Sequence, residues 1–422
     1  MTERATFLRS KYSGYYGALA KPQIDQKLTE VGPGTPGGEY LRRFWHPVAF
    51  DNALQDVPIR LRILGEDLVL FRDRSGRVGL VTLNCPHRGT SLEFGIIQER
   101  GIMCCYHGWV FDVDGKILET PGEPEESTLK DRLWHGAYPV RAFKGLIFAY
   151  MGPPAEEPPF PVYDTFELDE YRLEPWGGNI LPCNWIQVKE NAMDPVHTSF
   201  LHSINFTESF GVIPQLNFVK NPLGMMYVAV RRMGENVWVR STEMIMPNVH
   251  QLAPTFETGD VPKTFSRPMQ TLWAVPVDDT QTMNIGYNHY DLINPPNHEK
   301  YVAGTDFGQM PDRPYRERQL LPGDYDAQVS IGATAIHARE HLGSTDAGVS
   351  MFRQLVKRGI RDVEDGADPI PPAQRADGLI RTYAHDTVKL APELEKVEED
   401  SALLRKMGID VTNDVLAGKF TR

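Results

Sequence analysis

The sequence predicts an α+β protein in which a small antiparallel β domain precedes a larger α+β domain. Several segments before residue 152 alternate apolar and polar residues with a period of two, as half-buried strands do. A proline-rich segment at 153–161 disfavours helix and strand alike and therefore marks a joint. Beyond it, helical and strand-like patterns are mixed, which favours one central antiparallel sheet with covering helices.

These patterns divide the chain of 422 residues into four parts. Residues 1–38 are an N-terminal lead-in, 39–152 the β domain, 153–161 the joint, and 162–422 the larger domain with a C-terminal helical tail. The length is sufficient for two domains with separate cores.

In the first domain, Thr35-Pro36 is expected to begin a short helix, because threonine caps helices and proline suits their first position. A hairpin turn is predicted at Asp73-Arg74-Ser75-Gly76. Strands are predicted from the period-two pattern at 57–63, 67–72, 78–83, 109–112, 116–118 and 146–150.

In the second domain, the predicted helices span 185–202, 324–342 and 346–358, and the predicted strands span 225–232, 236–244, 270–276 and 282–290. Residues 390–407 are expected to form an amphipathic helix within a tail that packs on the surface or on a neighbouring subunit.

The composition is that of an ordinary globular protein, with 41% hydrophobic and 24% charged residues. A net charge of −12 argues against nucleic acid and anionic membranes as partners. There is no apolar run of membrane-spanning length and no secretory pattern at the start. Four cysteines, two of them in one motif, form no disulfide framework, so we expect a cytoplasmic location.

The first motif is C-x-H followed, after sixteen residues, by C-x2-H: Cys85 and His87, then Cys104 and His107. Two cysteines and two histidines suit a [2Fe–2S] cluster with cysteines on one iron and histidines on the other, or a tetrahedral zinc ion. The C-x-H spacing is shorter than zinc pairs use, which favours the cluster. Only Cys104 gives the C-x2-H spacing, so Cys105 is expected to be a buried bystander.

The second motif contains His197 and His202, which are five residues apart. On an ideal helix this spacing is about 140° of rotation, so both can reach one metal only if the helix is distorted or ends between them. Asp194-Pro195 supplies a cause, since both residues favour a helix start. A structural histidine pair is the alternative.

The order N-x2-D-x2-H-x4-H, formed by Asn191, Asp194, His197 and His202 after the first motif, resembles the signature of Rieske non-haem iron oxygenases, in their oxygenase (alpha) subunit. Further stretches resemble the phthalate dioxygenase-like branch, most closely the 5,5'-dehydrodivanillate O-demethylase oxygenases. They are residues 31–45, 63–68 and 104–109. The resemblance implies a Rieske [2Fe–2S] domain and a helix-grip catalytic domain with a mononuclear Fe(II).

The resemblance also implies the ligands of that iron, a set of two histidines and one carboxylate. His197 and His202 match the histidines, and Asp346 matches the carboxylate that precedes a helix in this branch. A helix N-cap is the other interpretation of Asp346. Asp324 and Asp326 are the rival carboxylates.

In the family, an electron passes from the cluster of one subunit to the iron of its neighbour in a head-to-tail trimer. The resemblance therefore implies a homotrimer, with Asp194 as the bridging carboxylate and Asn191 close to the iron. The chain contains no flavin or NAD motif, so we expect a separate NAD(P)H-dependent reductase, with or without a ferredoxin between them.

The resemblance implies O-demethylation of a lignin-derived methoxylated aromatic acid, with O2 as co-substrate. Ring dihydroxylation of an aromatic carboxylate such as phthalate is the alternative, and a Rieske electron carrier without oxygenase activity is a third. Arginines that could bind a substrate carboxylate are Arg231, Arg232, Arg240 and Arg267, although arginines in strands more often lie on the sheet surface. The substrate-binding residues are otherwise open.

Overall fold

The structure is a computed structural model that describes residues 23–256, 263–292 and 312–419. Most of the predicted lead-in, residues 1–22, lies outside the described residues. The helices are α1 Gln26–Thr29, α2 Pro36–Leu41, α3 Leu129–Arg132, α4 Trp185–Ala192, α5 Ser203–Asn205, α6 Tyr315–Leu320, α7 Asp324–Ser330, α8 Ala347–Glu364 and α9 Val397–Leu416.

Within these described ranges, the strands belong to five sheets. They are β1 Trp45–Phe50, β2 Ile59–Ile63, β3 Glu66–Arg72, β4 Val78–Thr82, β5 Ile96–Ile97, β6 Ile102–Met103, β7 Val110–Phe111, β8 Ile117–Glu119, β9 Ala137–Tyr138, β10 Val140–Phe143, β11 Leu146–Tyr150, β12 Val162–Tyr163, β13 Tyr171–Leu181, β14 Gln215–Asn221, β15 Gly224–Met233, β16 Asn236–Ile245, β17 Val249–Leu252, β18 Lys263–Ser266, β19 Gln270–Asp278, β20 Gln281–Asp291, β21 Leu379–Ile380 and β22 Asp386–Leu390.

Three small antiparallel sheets occupy residues 45–150, in the orders β1-β11-β10, β2-β3-β4-β9 and β5-β6-β7-β8. The predicted β3–β4 hairpin is confirmed, with Leu70 opposite Leu80. Its turn is fixed by Asp73, whose carboxylate accepts hydrogen bonds from the Ser75 hydroxyl and the Arg77 amide. Gly76 there adopts a left-handed φ of 91°.

Among the described residues of the larger domain, nine strands form one antiparallel sheet. Seven of them follow the order β13-β20-β19-β17-β16-β15-β14, β22 pairs with β16, and β18 pairs with β22. Strand β16 is long enough to pair with β17 near one end and with β22 near the other. All but the first residue of β16 are buried, so this strand lies at the centre of the core. The predicted α+β class with a central antiparallel sheet is confirmed.

Helix α8 packs on this sheet through Phe352, Val356 and Ile360, which recur every four residues on one face. Gly359 lets α2 approach closely, since a Cβ there would lie 2.3 Å from the Tyr40 ring. The capped helix predicted at Thr35-Pro36 is present, and the Thr35 hydroxyl accepts a hydrogen bond from the Gly38 amide.

The helices predicted at 324–342 and 390–407 differ from those observed. The helix predicted at 324–342 ends at Ser330, because Gly332 follows with a φ of 116° that other residues rarely adopt. The tail helix begins at Val397 rather than at residue 390, where β22 ends, and it packs on β14, β15 and β16. Within the described residues, no helix is long and apolar enough to span a membrane.

Candidate metal centres

Two loops of similar shape carry the first motif. In one, the Cys85 amide donates to the Thr90 carbonyl at 2.9 Å, and in the other, the Cys104 amide donates to the Trp109 carbonyl at 2.8 Å. Each loop turns through a left-handed glycine, Gly89 with a φ of 77° and Gly108 with a φ of 73°. The loops therefore present one thiol and one imidazole each toward the same place.

The four donors separate by chemical type. Cys85 and Cys104 are 3% and 2% exposed, and burial raises the pKa of the Cys85 thiol to about 11 in the metal-free chain. His87 and His107 lie toward solvent, with ring centroids 4.5 Å apart, and His87 stacks on Trp109. An inner thiol pair and an outer imidazole pair fit a two-iron cluster with cysteines on one iron and histidines on the other.

Cys105 is exposed, so the expectation that it is buried was wrong. Its neighbour Cys104 points into the core, and Cys105 and Tyr106 occupy the tip of the loop, where both side chains face solvent. The exposure gives the two adjacent cysteines distinct environments.

This difference predicts opposite results for adjacent substitutions. Cys104→Ser is expected to abolish the visible absorption and the reduced-state EPR signal of the cluster, because a hydroxyl replaces a thiolate ligand poorly. Cys105→Ser is the matched control and should retain both signals at full occupancy. Loss of the cluster in Cys105→Ser alone would reverse the proposed ligand assignment.

The second motif lies where a helix is interrupted. Helix α4 ends at Ala192, and the Asp194 carboxylate then accepts a hydrogen bond from the Val196 amide at 2.9 Å. Gly348 at the start of α8 fixes this loop from outside, since a Cβ there would lie 2.4 Å from the Met193 carbonyl oxygen. The prediction of one continuous helix over 185–202 is therefore wrong. The helix is interrupted at Asp194-Pro195, the residues that were expected to distort it.

A π-helical turn, Thr198–His202, follows the break. A π-turn bonds each residue to the fifth one along, so it aligns positions five apart, which an α-helix separates. The ring centroids of His197 and His202 are accordingly 5.1 Å apart. On an ideal α-helix, the five-residue spacing of His197 and His202 would keep them from sharing a metal. In the π-helical turn, the same spacing allows both to bind one metal.

Asp324, the first residue of α7, completes a compact group with the two histidines. Its carboxylate lies 3.2 Å from His202 Nε2 and 3.7 Å from His197 Nε2, and the three donor atoms lie within 4.8 Å of one another. Two imidazole nitrogens and one carboxylate on one side of a cavity are the donor set of a mononuclear Fe(II) site with open positions. The residues present therefore fit this metal.

Further contacts orient these donors. The Asn191 amide donates to Asp324 Oδ1 at 3.3 Å. His197 Nδ1 bonds the Asp194 backbone carbonyl, which directs Nε2 toward Asp324. Burial lowers the pKa of His197, although the Asp324 carboxylate opposes the shift, so the imidazole is available as a neutral ligand.

The structure does not bring Asp346, the carboxylate expected from the sequence, into this group. Asp346 accepts a hydrogen bond from the Gly343 amide at 2.6 Å and occupies the N-cap position of α8, but its side chain makes no capping hydrogen bond to that helix. Asp326 is also engaged elsewhere, by Arg313 and Arg318. Asp324 therefore replaces Asp346 in the ligand set that we propose.

Another cluster of metal-type donors contains Glu190, His337 and Glu340. The Arg353 guanidinium donates hydrogen bonds to both carboxylates of this cluster, to Glu190 at 2.5 Å and to Glu340 at 2.5 Å. These contacts lower the pKa of Glu190 against the effect of its burial. We therefore interpret this cluster as an ion-paired network rather than a metal site.

A cavity of about 640 Å³ opens beside His197, His202 and Asp324, which form part of its wall. Aromatic and aliphatic side chains provide much of the rest, among them Phe50, Trp176, Leu181, Phe206, Phe210 and Leu252. Polar atoms without a hydrogen-bond partner in the described part of the chain also occur in lining residues. They are His289 Nδ1, Asn284 Oδ1 and Gln328 Oε1. The cavity thus suits an aromatic ligand with polar substituents.

The four arginines singled out from the sequence have different surroundings. Arg232 pairs with Asp400, and Arg267 pairs with Asp164 at 2.5 Å. Arg231 is buried and donates to the Val212 carbonyl and the Thr198 hydroxyl. Arg240 is buried as well, but it lines the cavity. Sequence reasoning placed these arginines on a sheet surface because a strand pattern does not reveal the layer that covers the sheet.

The Rieske [2Fe-2S] domain family matches residues 44–141, the segment that contains both cluster loops. Over 411 residues the sequence is 43% identical to the tert-butanol monooxygenase / tert-amyl alcohol desaturase oxygenase subunit of Aquincola tertiaricarbonis, across 90% of this chain and 86% of that protein. The chain belongs to the Rieske non-haem iron oxygenases. As a member, this oxygenase component uses a [2Fe–2S] cluster and a mononuclear iron, so the zinc and electron-carrier alternatives are set aside.

This Rieske oxygenase also resembles enzymes named for aromatic substrates. It is 38% identical to phenoxybenzoate dioxygenase subunit alpha of Ectopseudomonas oleovorans, over 85% of this chain and 90% of that protein. It is 31% identical to the 5,5'-dehydrodivanillate O-demethylase oxygenase subunit of Sphingobium sp., over 91% and 92%. Dicamba monooxygenase shares the fold, with a TM-score of 0.59 at 18% identity over 77% of this chain and 98% of that chain.

Proposed function

We propose that this Rieske oxygenase acts on an aryl ether that bears a carboxylate, and that it O-demethylates a methoxylated aromatic acid. The observation that carries the proposal is Arg240, a buried guanidinium in the wall of the cavity that contains the candidate iron ligands. Among the described residues, no carboxylate lies within ion-pair distance of it.

The hydrogen bonds of Arg240 all go to neutral oxygens, and its guanidinium also lies over the Phe210 ring, 5.4 Å from the ring centroid. Its guanidinium donates to the carbonyls of Ala253 and Pro254 and to the Tyr227 hydroxyl, at 2.9 to 3.2 Å. A buried cation with neutral partners carries an uncompensated charge, which an anionic ligand would balance. The net charge of −12 makes this local positive site a means of binding an anion against the overall field.

The relatives supply the rest of the substrate class. Phenoxybenzoate, in the name of one relative, is an ether and a carboxylate, and the name of another describes removal of an O-methyl group. The name of a third relative contains tert-butanol, which is neutral, so the carboxylate is the feature to test first.

The iron would be held by His197, His202 and Asp324, and the cluster by Cys85, Cys104 and the histidines at 87 and 107. When bound, the two centres supply O2 activation and stored electrons. Arg240 would hold the carboxylate, while the aromatic wall excludes water and aims the methoxy group at the open side of the iron site. The reaction consumes aryl methyl ether, O2, two electrons and two protons, and gives phenol, formaldehyde and water.

The electrons must arrive from outside the chain, and we propose that they come from a separate NAD(P)H-dependent reductase. We also propose a head-to-tail homotrimer in which Asp194 links the cluster of one subunit to the iron of the next. Asp194 supports this role because its side chain is 28% exposed and its Oδ2 reaches only a 3.8 Å contact with His197 Nδ1. Its Oδ1 is already used by the Val196 amide.

The carboxylate assignment predicts a change in substrate preference. The wild-type enzyme is expected to have a higher kcat/KM for 4-methoxybenzoate than for neutral 4-methoxybenzamide by roughly 10- to 100-fold, the usual effect of a hydrogen bond to a charged group. Arg240→Gln should remove most of this preference. Formaldehyde release is measured with a surrogate reductase and NADH.

Arg232→Gln is the matched control, because Arg232 also lies on β15–β16 but pairs with Asp400 outside the cavity. It should leave the acid-over-amide preference unchanged. An unchanged preference in Arg240→Gln would remove the carboxylate from the proposal. Formation of a cis-diol without formaldehyde would replace demethylation by ring dihydroxylation.

A further inference from the structure

Lys189 is a fully buried lysine beside the catalytic cavity. It belongs to α4, and its Nζ contacts His250 Nδ1 at 2.6 Å and the Leu272 carbonyl at 3.0 Å. No carboxylate in the described ranges lies within ion-pair distance of it. A methionine of similar shape would avoid the desolvation of an amine, so the fold keeps a costly group at this position.

The contacts of Lys189 determine the tautomer of His250. The Leu272 carbonyl can only accept, so one Nζ hydrogen goes to it. As an ammonium, Nζ has no lone pair and can only donate to His250 Nδ1 as well, even though burial lowers the pKa of Lys189. His250 Nδ1 is then the acceptor, so a neutral His250 carries its proton on Nε2.

His250 is placed to use that proton. It lies on β17 opposite Leu272 of β19, and its ring forms part of the cavity wall that also includes His197 and Asp324. Burial lowers the pKa of His250, so the ring is neutral near pH 7. Among the described residues, Nε2 has no hydrogen-bond partner, so its N–H is available to a ligand in the cavity.

We propose that Lys189 is a positioning residue that holds His250 with its proton on Nε2, and that this N–H donates a hydrogen bond to the ether oxygen of the substrate. The inference rests on the proposed function, because it names the residue that binds the ether oxygen of the proposed aryl ether carboxylate. Arg240 and His250 would then bind different groups of one substrate molecule. Arg240 would bind the carboxylate, and His250 would bind the neutral ether oxygen.

The test uses two probes that differ in one atom, 3-phenoxybenzoate and 3-benzylbenzoate, in which a methylene replaces the ether oxygen. Their dissociation constants are measured by anaerobic calorimetry on the iron-loaded enzyme, so the readout is binding rather than turnover. The wild-type enzyme should bind the ether about fivefold more tightly, as expected for one neutral hydrogen bond. Lys189→Met and His250→Asn should both bring the ratio close to one.

His250→Gln is the conservative rescue, because its amide nitrogen lies near the position of Nε2 and does not depend on Lys189. It should retain most of the ether preference, and the double variant with Lys189→Met should retain it too. Circular dichroism verifies the fold of each variant.

A wild-type enzyme that binds both acids equally, or an undiminished preference in Lys189→Met, would overturn this inference. The carboxylate assignment would survive that result if Arg240→Gln still weakened both acids. If neither acid binds the wild-type enzyme, the proposed substrate class fails, and this inference fails with it.

Discussion

Replacing Asp324 with alanine is expected to remove the mononuclear iron and leave the cluster in place. The iron content of the reconstituted enzyme should fall from about three to about two per chain, while the visible and EPR signals of the [2Fe–2S] centre persist. Substrate-dependent O2 uptake should fall by more than about 100-fold, since even residues that only support a ligand cost up to that much. Iron analysis, EPR and oxygen consumption measure the three effects.

The reason lies in the geometry of the donors. The Asp324 carboxylate lies within 3.7 Å of the Nε2 atoms of both histidines and accepts a hydrogen bond from the Asn191 amide. It therefore has the position of a metal ligand, and Asn191 holds it there. Without it, two imidazoles remain, which is one donor too few for a stable facial site. Asp324→Asn would keep the hydrogen bond from Asn191 in altered form but lose the charge, and it should be nearly as defective.

Asp346→Ala is the matched control for this prediction. Its carboxylate bonds the Gly343 amide, so the substitution should destabilise the turn before α8 by about 1 kcal/mol and leave the iron content unchanged. Loss of iron in Asp346→Ala with retention in Asp324→Ala would restore the assignment expected from the sequence. Thermal unfolding separates a stability effect from a metal effect.

The cluster motif could be predicted because all its information is local. Cys85 and His87 occupy one turn, as do Cys104 and His107, so spacing alone selects the donors. The pair His197 and His202 could also be predicted from local sequence. Asp194-Pro195 predicted an interruption of the helix, and a π-helical turn follows that interruption. The burial of Cys105 was misjudged because two adjacent cysteines in a turn look alike until the loop assigns one to each side.

The third carboxylate could not be chosen from the sequence, because its place depends on how distant segments meet. Asp324 and Asp346 each lie at the start of a helix, and both therefore look like helix caps. Which of them faces the histidines is decided by the packing of α7 on α4 and by the end of α7 at Ser330. Because the sequence pattern predicted one long helix over 324–342, it did not indicate that α7 ends at Ser330.

The accuracy of the strand predictions differed along the large sheet. Strands β15 and β16 were placed within two residues, whereas β13 was missed because Pro175, Gly177 and Gly178 interrupt its pattern. Gly177 and Gly178 have left-handed φ values of 91° and 84°, and the register against β20 shifts there. This irregular strand contributes Trp176 and Asn179 to the cavity, so the break in the pattern coincides with the site.

Asp194→Asn is expected to separate the two metal centres functionally while leaving both in place. In the described part of the chain, the carboxylate accepts hydrogen bonds only from its own loop, through Oδ1, and asparagine can retain the one from the Val196 amide. Neither the iron content nor the cluster spectrum should change. What asparagine cannot supply is a negative charge on the exposed side of the loop, which the proposed bridge to a histidine of the next subunit's cluster requires.

Transfer of an electron from the reduced cluster to the iron site should therefore slow by about 10- to 100-fold, the usual cost of losing a partner of a metal-bound histidine. Single-turnover experiments measure this directly, because the cluster is reduced in advance and its reoxidation by O2 is followed at its visible absorption in the presence of substrate. Reduction of the cluster by the reductase should proceed at the wild-type rate. Fast reoxidation in Asp194→Asn, with the proposed trimer intact by sedimentation, would place the route elsewhere. Dissociation of a wild-type trimer by the substitution would show that Asp194 instead holds the interface together.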